Sequence, residues 1–328
     1  MLYDNHGRSI NYLRLAVTDR CNLRCFYCMP AQGIQYIERK ELLSYEEMER
    51  LLRLMIGMGI EKIRITGGEP FLRKGMLDFM RRLRQFSGLQ QLNVTTNGTL
   101  TANIADQLKE VVDSVNLSID SLDAARFFAI TRRNVFPAVM RTLEALLAQE
   151  IPTKINTVVM EGRNIEDIIP MVELGRDRPI SVRFIEEMPF NGSGAHYQHL
   201  LWNHHKIIQH IQSHYPSLSK IPDPKSTTSF NYKIAGFRGT VGVIAAYSRL
   251  FCGTCNRIRL TPQGMLKTCL YDSGIFNVKD LMRAGASDDQ ISTALQEALS
   301  NRAKNGFEAE QNRSFGIPVS ESMASIGG

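Results

Sequence analysis

Short segments rich in β-branched residues alternate with longer amphipathic segments through the first 186 residues, and this alternation strongly constrains the fold. It predicts βα units that build a parallel sheet covered by helices. The predicted strands are 12–17, 62–66, 92–96, 114–119, 153–159 and 181–185. The predicted helices are about 45–58, 76–85, 102–110, 135–148 and 165–175, and Ser44 with Glu47 forms an S-x-x-E capping box before the first. Six strands with intervening helices favour an α/β partial barrel over a closed eight-unit barrel.

One face of several predicted strands is polar. Every second side chain of a strand faces the same way, and Arg64, Lys154 and Arg183 share their faces with other polar residues. Parallel strands covered by helices are normally apolar on both faces. The three basic residues therefore either line a polar lumen that binds an anion or occupy exposed edge positions. We favour the lumen because three strands show the same pattern.

Three cysteines follow the first predicted strand, in the stretch TDRCNLRCFYCMP. Cys21, Cys25 and Cys28 form C-x3-C-x2-C. A closed zinc site needs four ligands, and a [4Fe–4S] cluster is normally held by four cysteines. Three cysteines would leave one iron of such a cluster free to bind another molecule. One alternative is a zinc site completed by ligands elsewhere in the chain. The other is burial of the cysteines as small hydrophobic residues, but their charged neighbours argue against burial.

A second trio lies near the C-terminus, where Cys252, Cys255 and Cys269 occur in FCGTCNRIRLTPQGMLKTCLY. Either each trio holds one cluster or the ligands mix between trios, and the regular local spacing favours two clusters. Arg257 and Arg259 are two residues apart on an extended segment, so both point the same way. Guanidinium groups hold phosphate oxygens well, although a solvated charge pair is the alternative.

Composition limits the class of protein. The chain has 328 residues, 43% hydrophobic and 22% charged, which suggests one large or two ordinary soluble domains, with a looser boundary near 215–222. No apolar run is long enough for a membrane span and the start lacks a signal peptide, so we expect a cytoplasmic protein with reduced thiols. A net charge of +6 favours anionic ligands, but no nucleic-acid motif is present.

Six histidines are interpreted as solvated or packing residues: His196, His199, His204, His205, His210 and His214.

Further motifs give these cysteines a context. RITGGEP at 64–70, together with the first trio, resembles the radical S-adenosylmethionine (SAM) enzymes, whose GGEP backbone holds the methionine end of SAM. TTNG at 95–98, NLSIDSLD at 116–123, RFIEEM at 183–188, the second trio and a final Gly-Gly follow in order. The whole set is similar to the MoaA family, the GTP 3',8-cyclases that begin molybdenum cofactor biosynthesis.

The resemblance implies an incomplete (βα)6 TIM-like barrel over 1–220 and a C-terminal region over 221–328 that carries a second iron–sulfur cluster. Two [4Fe–4S] clusters and SAM would be the cofactors. Cys21, Cys25 and Cys28 would hold the cluster that binds SAM, and Cys252, Cys255 and Cys269 the cluster that binds substrate. The implied SAM contacts are Tyr27, Gly68, Ser118 and Met188. The implied GTP contacts are Arg14, Arg64, Thr95, Lys154, Arg257, Ile258 and Arg259. The implied catalytic residues are Arg183, Arg257, Arg259, Gly327 and Gly328.

The family reaction is a reductive cleavage of SAM to a 5'-deoxyadenosyl radical, which takes the 3'-hydrogen of GTP. C3' then bonds to C8 and gives (8S)-3',8-cyclo-7,8-dihydroguanosine 5'-triphosphate. The implied partners are GTP, an electron donor protein or reductant, and the cyclic pyranopterin monophosphate synthase that receives the product. No nucleic acid or membrane is expected, and the protein would be a monomer or homodimer. The rivals are a peptide-modifying radical SAM maturase, a zinc protein that binds RNA and a two-cluster redox carrier.

Overall fold

The structure is a computed structural model that describes residues 1–188, 190, 200–313 and 321–327. The first strands are β1 (Leu2–Tyr3), β2 (Ser9–Ile10), β3 (Tyr12–Ala16), β4 (Lys62–Thr66), β5 (Gln91–Thr96), β6 (Ser114–Ser118), β7 (Thr153–Val159) and β8 (Ser181–Glu186). The later strands are β9 (Ser219–Lys220), β10 (Phe230–Lys233), β11 (Thr240–Ile244), β12 (Arg257–Leu260), β13 (Met265–Lys267) and β14 (Phe276–Asn277).

The helices lie mainly between these strands and after them. The first six are α1 (Tyr45–Gly57), α2 (Met76–Arg84), α3 (Ala105–Lys109), α4 (Ala124–Thr131), α5 (Phe136–Ala148) and α6 (Ile168–Glu173). The other five are α7 (His204–His214), α8 (Val278–Arg283), α9 (Asp288–Ser300), α10 (Gly306–Gln311) and α11 (Met323–Ile326). In the part of the chain that the structure describes, no helix combines the length and apolar character that crossing a bilayer requires.

Twelve strands form one sheet in which β3 to β8 are parallel and neighbour each other in chain order. Each parallel neighbour is reached through at least one helix, which is the βα arrangement that the alternating sequence predicted. The predicted α/β class with a parallel sheet is confirmed.

Strands from the C-terminal region extend this sheet on both sides. β12 pairs in parallel with β3, and β11 pairs in parallel with β8. β11 also forms an antiparallel hairpin with β10. The additional parallel pairings had not been predicted, because an edge strand's partner depends on which open edge is nearest in space. The domain boundary at 220 stays a prediction, since both regions share a sheet.

Helix α1 shows how the sequence sets an element. The Ser44 Oγ accepts a hydrogen bond from the Glu47 N–H at 3.1 Å, and the Glu47 carboxylate accepts one from the Ser44 N–H at 2.7 Å. Leu51 and Met55, four residues apart, are completely buried against the sheet. Truncating such a leucine to alanine costs about 2–5 kcal/mol. The two hydrogen bonds between Ser44 and Glu47 confirm the predicted capping box.

Candidate active site

The inner side of the sheet borders one cavity of about 650 Å³ that both cysteine trios line. The first trio follows the C-terminal end of β3, whereas Cys252 and Cys255 precede the N-terminal end of β12. Because β12 and β3 are parallel, the trios lie at opposite ends of these strands. Cys269 joins the second trio because β13 runs antiparallel to β12. This volume suits a ligand of nucleotide size.

The first trio lies on a loop whose backbone is tied to itself and to the neighbouring β5 loop. The Cys28 N–H donates to the Cys25 carbonyl at 2.9 Å, and the Asn97 amide lies 3.7 Å from the Cys21 sulfur. Burial raises the pKa of the Cys28 thiol to about 12, with the charge of Cys21 adding to the effect. Bare thiolates are thus disfavoured here, and a metal centre that replaces the proton suits the site.

The GGEP loop after β4 packs directly against the segment that leads into the first trio. A Cβ on Gly68 would lie 2.2 Å from the Arg20 carbonyl oxygen, and one on Gly67 would lie 2.4 Å from that of Thr18. Gly67 also has a φ of 144°, which favours glycine. Both Cβ atoms would meet backbone, so close packing of two backbone segments accounts for these glycines, and the loop also lines the cavity.

Glu69 of the same loop is completely buried and joins this loop to the one after β5. Its carboxylate accepts hydrogen bonds from the Asn97 N–H at 2.7 Å and from the Thr96 hydroxyl at 2.9 Å. Burial raises the pKa of Glu69 to about 7, although these hydrogen bonds act in the opposite direction. This residue therefore fixes the loop after β4 to the loop after β5.

The four predicted SAM contacts all line the cavity. Tyr27 donates its hydroxyl to the Asp120 carboxylate at 2.8 Å. Burial raises the pKa of Asp120 to about 6. Ser118 ends β6 two residues before Asp120, so this group lies at the same end of the sheet as the first trio. Their role in binding SAM stays a prediction.

A ladder of arginines crosses the cavity wall. Arg259 of β12 is paired in register with Arg14 of β3, which is paired with Arg64 of β4. Arg64 is 3% exposed and Arg259 is 9% exposed, so at least two of these guanidinium groups have little contact with water. Burial and then the charges of Arg14 and Arg257 lower the pKa of Arg259 to about 9. Such a wall strongly favours a polyanion.

Lys154 and Arg183 extend this basic wall on β7 and β8. Burial, followed by the charges of Arg183 and Arg64, lowers the pKa of Lys154 to about 7. Burial and the charge of Arg64 lower the pKa of Arg183 to about 10. The Arg183 Nε and the Arg14 Nε are buried and have no hydrogen-bond partner in the described structure. These donors fit a ligand rich in oxygen acceptors.

Tyr12 belongs to this wall and was missed by the sequence reasoning. Its hydroxyl accepts a hydrogen bond from the Arg64 Nε at 2.6 Å, and the Lys62 ammonium lies 5.0 Å from its ring centroid. Although burial alone favours the neutral phenol, the charges of Arg64 and Arg14 lower the pKa of Tyr12 to about 7. The sequence could have pointed to Tyr12, because it lies two residues before Arg14 and therefore on the same face of the strand.

The second trio lies among cationic groups. Guanidinium nitrogens of Arg257 and Arg302 each lie 3.2 Å from the Cys255 sulfur. Burial alone would raise the pKa of Cys255, but the charges of Arg257 and Arg302 lower it to about 6. At Cys269, burial raises the pKa to about 11. The Cys269 N–H donates to the Asp272 carboxylate at 2.7 Å, which holds that loop in place.

The end of the chain enters the same region. Ser322 donates its hydroxyl to the Cys28 carbonyl at 2.7 Å, and Arg259 donates to the carbonyl of Gly327. Gly327 has a φ of 77°, and a Cβ there would lie 2.5 Å from the Thr66 Oγ1. The segment from Ser322 to Gly327 therefore connects the first trio with β12. The predicted role of Gly328 falls outside the described residues.

The six cysteines form two local groups of three. Within the described ranges, no three His, Cys, Asp or Glu side chains come close enough to bind one metal ion. A cluster is wider than an ion because each cysteine binds a different iron. The thiols within each trio still affect one another's pKa values electrostatically, so each trio is a local group. This grouping fits two separate clusters better than mixed ligands.

Two groups of residues are not brought into the cavity. Ile258 lies between Arg257 and Arg259 on β12, but its side chain is 1% exposed and packs into the hydrophobic core. His204 binds the buried Glu186 at 3.0 Å, and His210 packs against Trp202. These contacts agree with the packing interpretation of the histidines, while His196 and His199 lie outside the described residues.

Comparisons with known proteins agree with this geometry. Residues 15–175 match the Radical SAM superfamily model, and residues 180–308 match the Molybdenum Cofactor Synthesis C model. The structure of Streptococcus suis SuiB superposes with a TM-score of 0.62 at 13% identity, covering 94% of this chain and 69% of SuiB. At that identity the likeness concerns the fold alone. The fold and the site thus define a radical SAM enzyme.

Relatives make the assignment narrower. The GTP 3',8-cyclase of Geobacter sulfurreducens is 42% identical over 100% of this chain and 99% of its own length. Molybdenum cofactor biosynthesis protein 1 of Bos taurus is 39% identical over 92% of this chain and 48% of its own. The chain thus spans about half the length of the animal relatives it matches. It belongs to the GTP 3',8-cyclase family, which confirms the family predicted from the motifs. This membership implies [4Fe–4S] clusters and SAM as cofactors.

Proposed function

We propose that this protein converts GTP to 3',8-cyclo-7,8-dihydro-GTP, the first step of molybdenum cofactor biosynthesis. The observation that carries the proposal is one cavity lined by two cysteine trios at opposite ends and by a ladder of basic residues between them. A polar wall of this kind suits a nucleotide triphosphate whose charge must be held away from water.

The roles of the residues follow from their positions. Arg14, Arg64, Lys154 and Arg183 bind the triphosphate through charge-assisted hydrogen bonds. Thr95 and the β12 pair of Arg257 and Arg259 complete the contacts to the nucleotide. The chain does not contain a G-x-x-x-x-G-K-[ST] motif, so the phosphates are held by side chains on strands rather than by a phosphate loop.

The first trio and its surroundings hold SAM. Cys21, Cys25 and Cys28 bind a [4Fe–4S] cluster, and Tyr27 with the Gly68 backbone orients SAM against it. When bound, this cluster and SAM supply the 5'-deoxyadenosyl radical that the reaction requires. The protein's contribution is to place the ribose C3' hydrogen beside that radical and C8 within bonding reach of C3'.

The second trio and the chain end hold the other side of GTP. Cys252, Cys255 and Cys269 would hold a second cluster, which would supply an iron site for the guanine. Gly327 covers the reacting ribose and keeps water from it, and Arg259 holds this cover through its bond to the Gly327 carbonyl. Exclusion of water matters because a carbon radical must react only with the chosen atom.

Three further assignments belong to the proposal. The electron comes from an external reductant or donor protein, and a cyclic pyranopterin monophosphate synthase consumes the product. We also propose that the enzyme works in the cytoplasm, where the six cysteines, all free in the structure, would stay reduced.

The test uses anaerobically reconstituted, reduced protein with SAM and GTP deuterated at C3'. We expect deuterium in the 5'-deoxyadenosine and a new isomer of GTP, both followed by mass spectrometry. SAM cleavage without GTP dependence or label would reject GTP as the substrate and keep the enzyme class. No SAM cleavage by protein with two verified clusters would reject the enzyme class. Arg178→Met, at an exposed ion pair with Glu144, is the control variant for handling and reconstitution.

A further inference from the structure

An ionic network lies behind the second cysteine trio, beside the segments that carry Cys252 and Cys255. Its members are Asp4 and Arg8 from the N-terminal hairpin of β1 and β2, and Arg302, which follows α9. The side chains of Asp4 and Arg302 are 0% and 3% exposed. Charged side chains are seldom buried so completely unless every group is paired. The function proposed above uses none of these three residues.

Arg302 is at the centre of the network because it makes five hydrogen bonds. They reach the Thr268 carbonyl at 3.0 Å, the Asp4 carboxylate at 3.1 Å and the Arg257 carbonyl at 2.9 Å. The other two reach the Cys255 carbonyl at 3.0 Å and the Cys255 sulfur at 3.2 Å. A guanidinium has five N–H donors, so Arg302 uses its whole donor capacity. One side chain thereby fixes Cys255 and the residue before Cys269.

The N-terminal hairpin completes the arrangement. The Arg8 Nε pairs with the Asp4 carboxylate at 2.6 Å, and the Arg8 Nη1 donates to the Cys252 carbonyl at 3.0 Å. Arg8 also donates to the carbonyls of Ala303 and Lys304, the two residues after Arg302. Asp4 is therefore shared by two arginines, and each arginine contacts the backbone of a different cysteine.

The charges of this network act on the trio in a definite direction. Hydrogen bonds and positive charge at cluster sulfurs favour the more negative, reduced form, and so raise the reduction potential. A guanidinium 3.2 Å from the Cys255 sulfur is placed to do this, and the nearby Asp4 carboxylate opposes it.

We propose that Arg302 is a positioning residue of the second metal centre. Arg302 holds the Cys255 and Cys269 segments and raises the reduction potential of the cluster, while Asp4 and Arg8 hold Arg302 in place. The inference rests on the proposed function only in requiring that Cys252, Cys255 and Cys269 bind an iron–sulfur cluster.

The experiment uses the full chain with Cys21, Cys25 and Cys28 replaced by alanine, so that all iron belongs to the second trio. Arg302→Met, Arg302→Lys and Asp4→Asn are made in this parent. The midpoint potential is measured by a titration followed with electron paramagnetic resonance, and iron retention by competition with a chelator. Arg73→Met is the matched control, because Arg73 donates to the backbone carbonyls of Val17 and Leu43, far from the second trio in sequence.

We expect Arg302→Met to lower the midpoint potential and to weaken iron retention about 10- to 100-fold, as the loss of outer-shell partners does at other metal sites. Arg302→Lys should restore part of the potential because it restores the charge. Asp4→Asn should shift the potential upward, because it removes a buried negative charge while the Asn carbonyl still accepts the hydrogen bond that holds Arg302. The opposite signs matter, since general damage to the fold would not move the two potentials in opposite directions.

If neither Arg302→Met nor Arg73→Met changes the midpoint potential or the iron retention, the inference is overturned. The proposal that the second trio binds a cluster would then still stand. Potentials that fall in both Arg302→Met and Asp4→Asn would also overturn it, because only structural damage would then be seen. A parent that binds no cluster would instead reject the second centre of the proposed function, and this inference with it. If Arg302→Met does not fold, the directions in which Arg302→Lys and Asp4→Asn shift the midpoint potential decide whether the inference stands.

Discussion

Arg259 and Gly327 are joined by a hydrogen bond from the arginine Nη1 to the glycine carbonyl, although 68 residues separate them in the chain. This bond attaches the end of the chain to the same strand that carries Arg257 and that follows Cys252 and Cys255. The tail therefore belongs to the cavity wall, and its position is one that a substitution can test.

Gly327→Ala should reduce formation of the cyclised product by about 100-fold, as displacements near 1 Å do in active sites. Its φ is 77°, and the new Cβ would lie 2.5 Å from the Thr66 Oγ1. Gly236→Ala is the control, because Gly236 has a φ of 82° with nothing within 4 Å of a Cβ. Product is measured by mass spectrometry, and iron content should stay unchanged in both. Equal activity in the two variants would remove the tail from the mechanism.

Arg183→Met should raise the KM for GTP about 10- to 100-fold, because a hydrogen bond from a charged donor contributes about 1.5–3 kcal/mol. The Arg183 Nε is buried without a partner in the described structure, so it is free to bind the substrate. Initial rates over a range of GTP concentrations give KM and kcat separately. Arg178→Met should leave both constants unchanged, and a normal KM for Arg183→Met would place the triphosphate elsewhere.

Cys25→Ala and Cys255→Ala should each lose about half of the iron, because each interrupts a separate cluster. Cys25→Ala should abolish SAM cleavage, whereas Cys255→Ala should keep it and lose the cyclised product. Iron, sulfide and 5'-deoxyadenosine are measured on the same reconstituted samples. Loss of all iron from either variant would mean that the trios share one centre.

Binding of GTP should take up protons near pH 8. The pKa of Lys154 is lowered to about 7 by burial and by the charges of Arg183 and Arg64, so the free amine is largely neutral at pH 8. A bound triphosphate favours the charged ammonium and raises this pKa, so a proton is taken from the buffer. Calorimetry at pH 8 in two buffers of different ionisation enthalpy measures the uptake, and Lys154→Met should reduce it. Lys109→Met, at an exposed position, should not. Identical heats in both buffers would contradict the prediction.

The free energy of unfolding of the protein without GTP should rise between pH 7 and pH 9, in part through Tyr12. The phenol has a pKa of about 7 in the folded state against 10.0 as its ordinary value, because the charges of Arg64 and Arg14 outweigh the effect of burial. The unfolded chain therefore binds more protons in this range, so stability increases with pH. This contribution is complete above about pH 10 and is lost as the pH falls through about 7.

Urea unfolding of the wild type and of Tyr12→Phe at pH 7, 8 and 9 tests this dependence. The difference between the two proteins should widen with pH, because phenylalanine cannot ionise. Tyr232→Phe serves as the control, since the pKa of Tyr232 is raised by burial rather than lowered. A constant difference between wild type and Tyr12→Phe would show that the phenol stays neutral.

Much of this architecture was predictable from local patterns. The six parallel strands, the capping box of Ser44 and Glu47 and the basic face that includes Arg64 and Arg183 all follow from periodicities of about two or 3.6 residues. The cysteine spacings predicted which loops bind metal, because ligands of one small centre are often close in sequence. Motif order then identified the family, and the comparisons confirmed it.

Other features depend on contacts that no local pattern records. The pairing of β11 with β8, the approach of Gly327 to Arg259 and the network of Asp4 with Arg302 join residues up to 298 positions apart. Periodicity determines which way a side chain faces relative to its own backbone, so it determined the strands, the helices and the polar lumen. Which edges pair and which buried charges meet is decided only when the folded chain brings distant groups into one low-dielectric space. Most polar groups there are paired, and only the tertiary structure shows which partner each of them has.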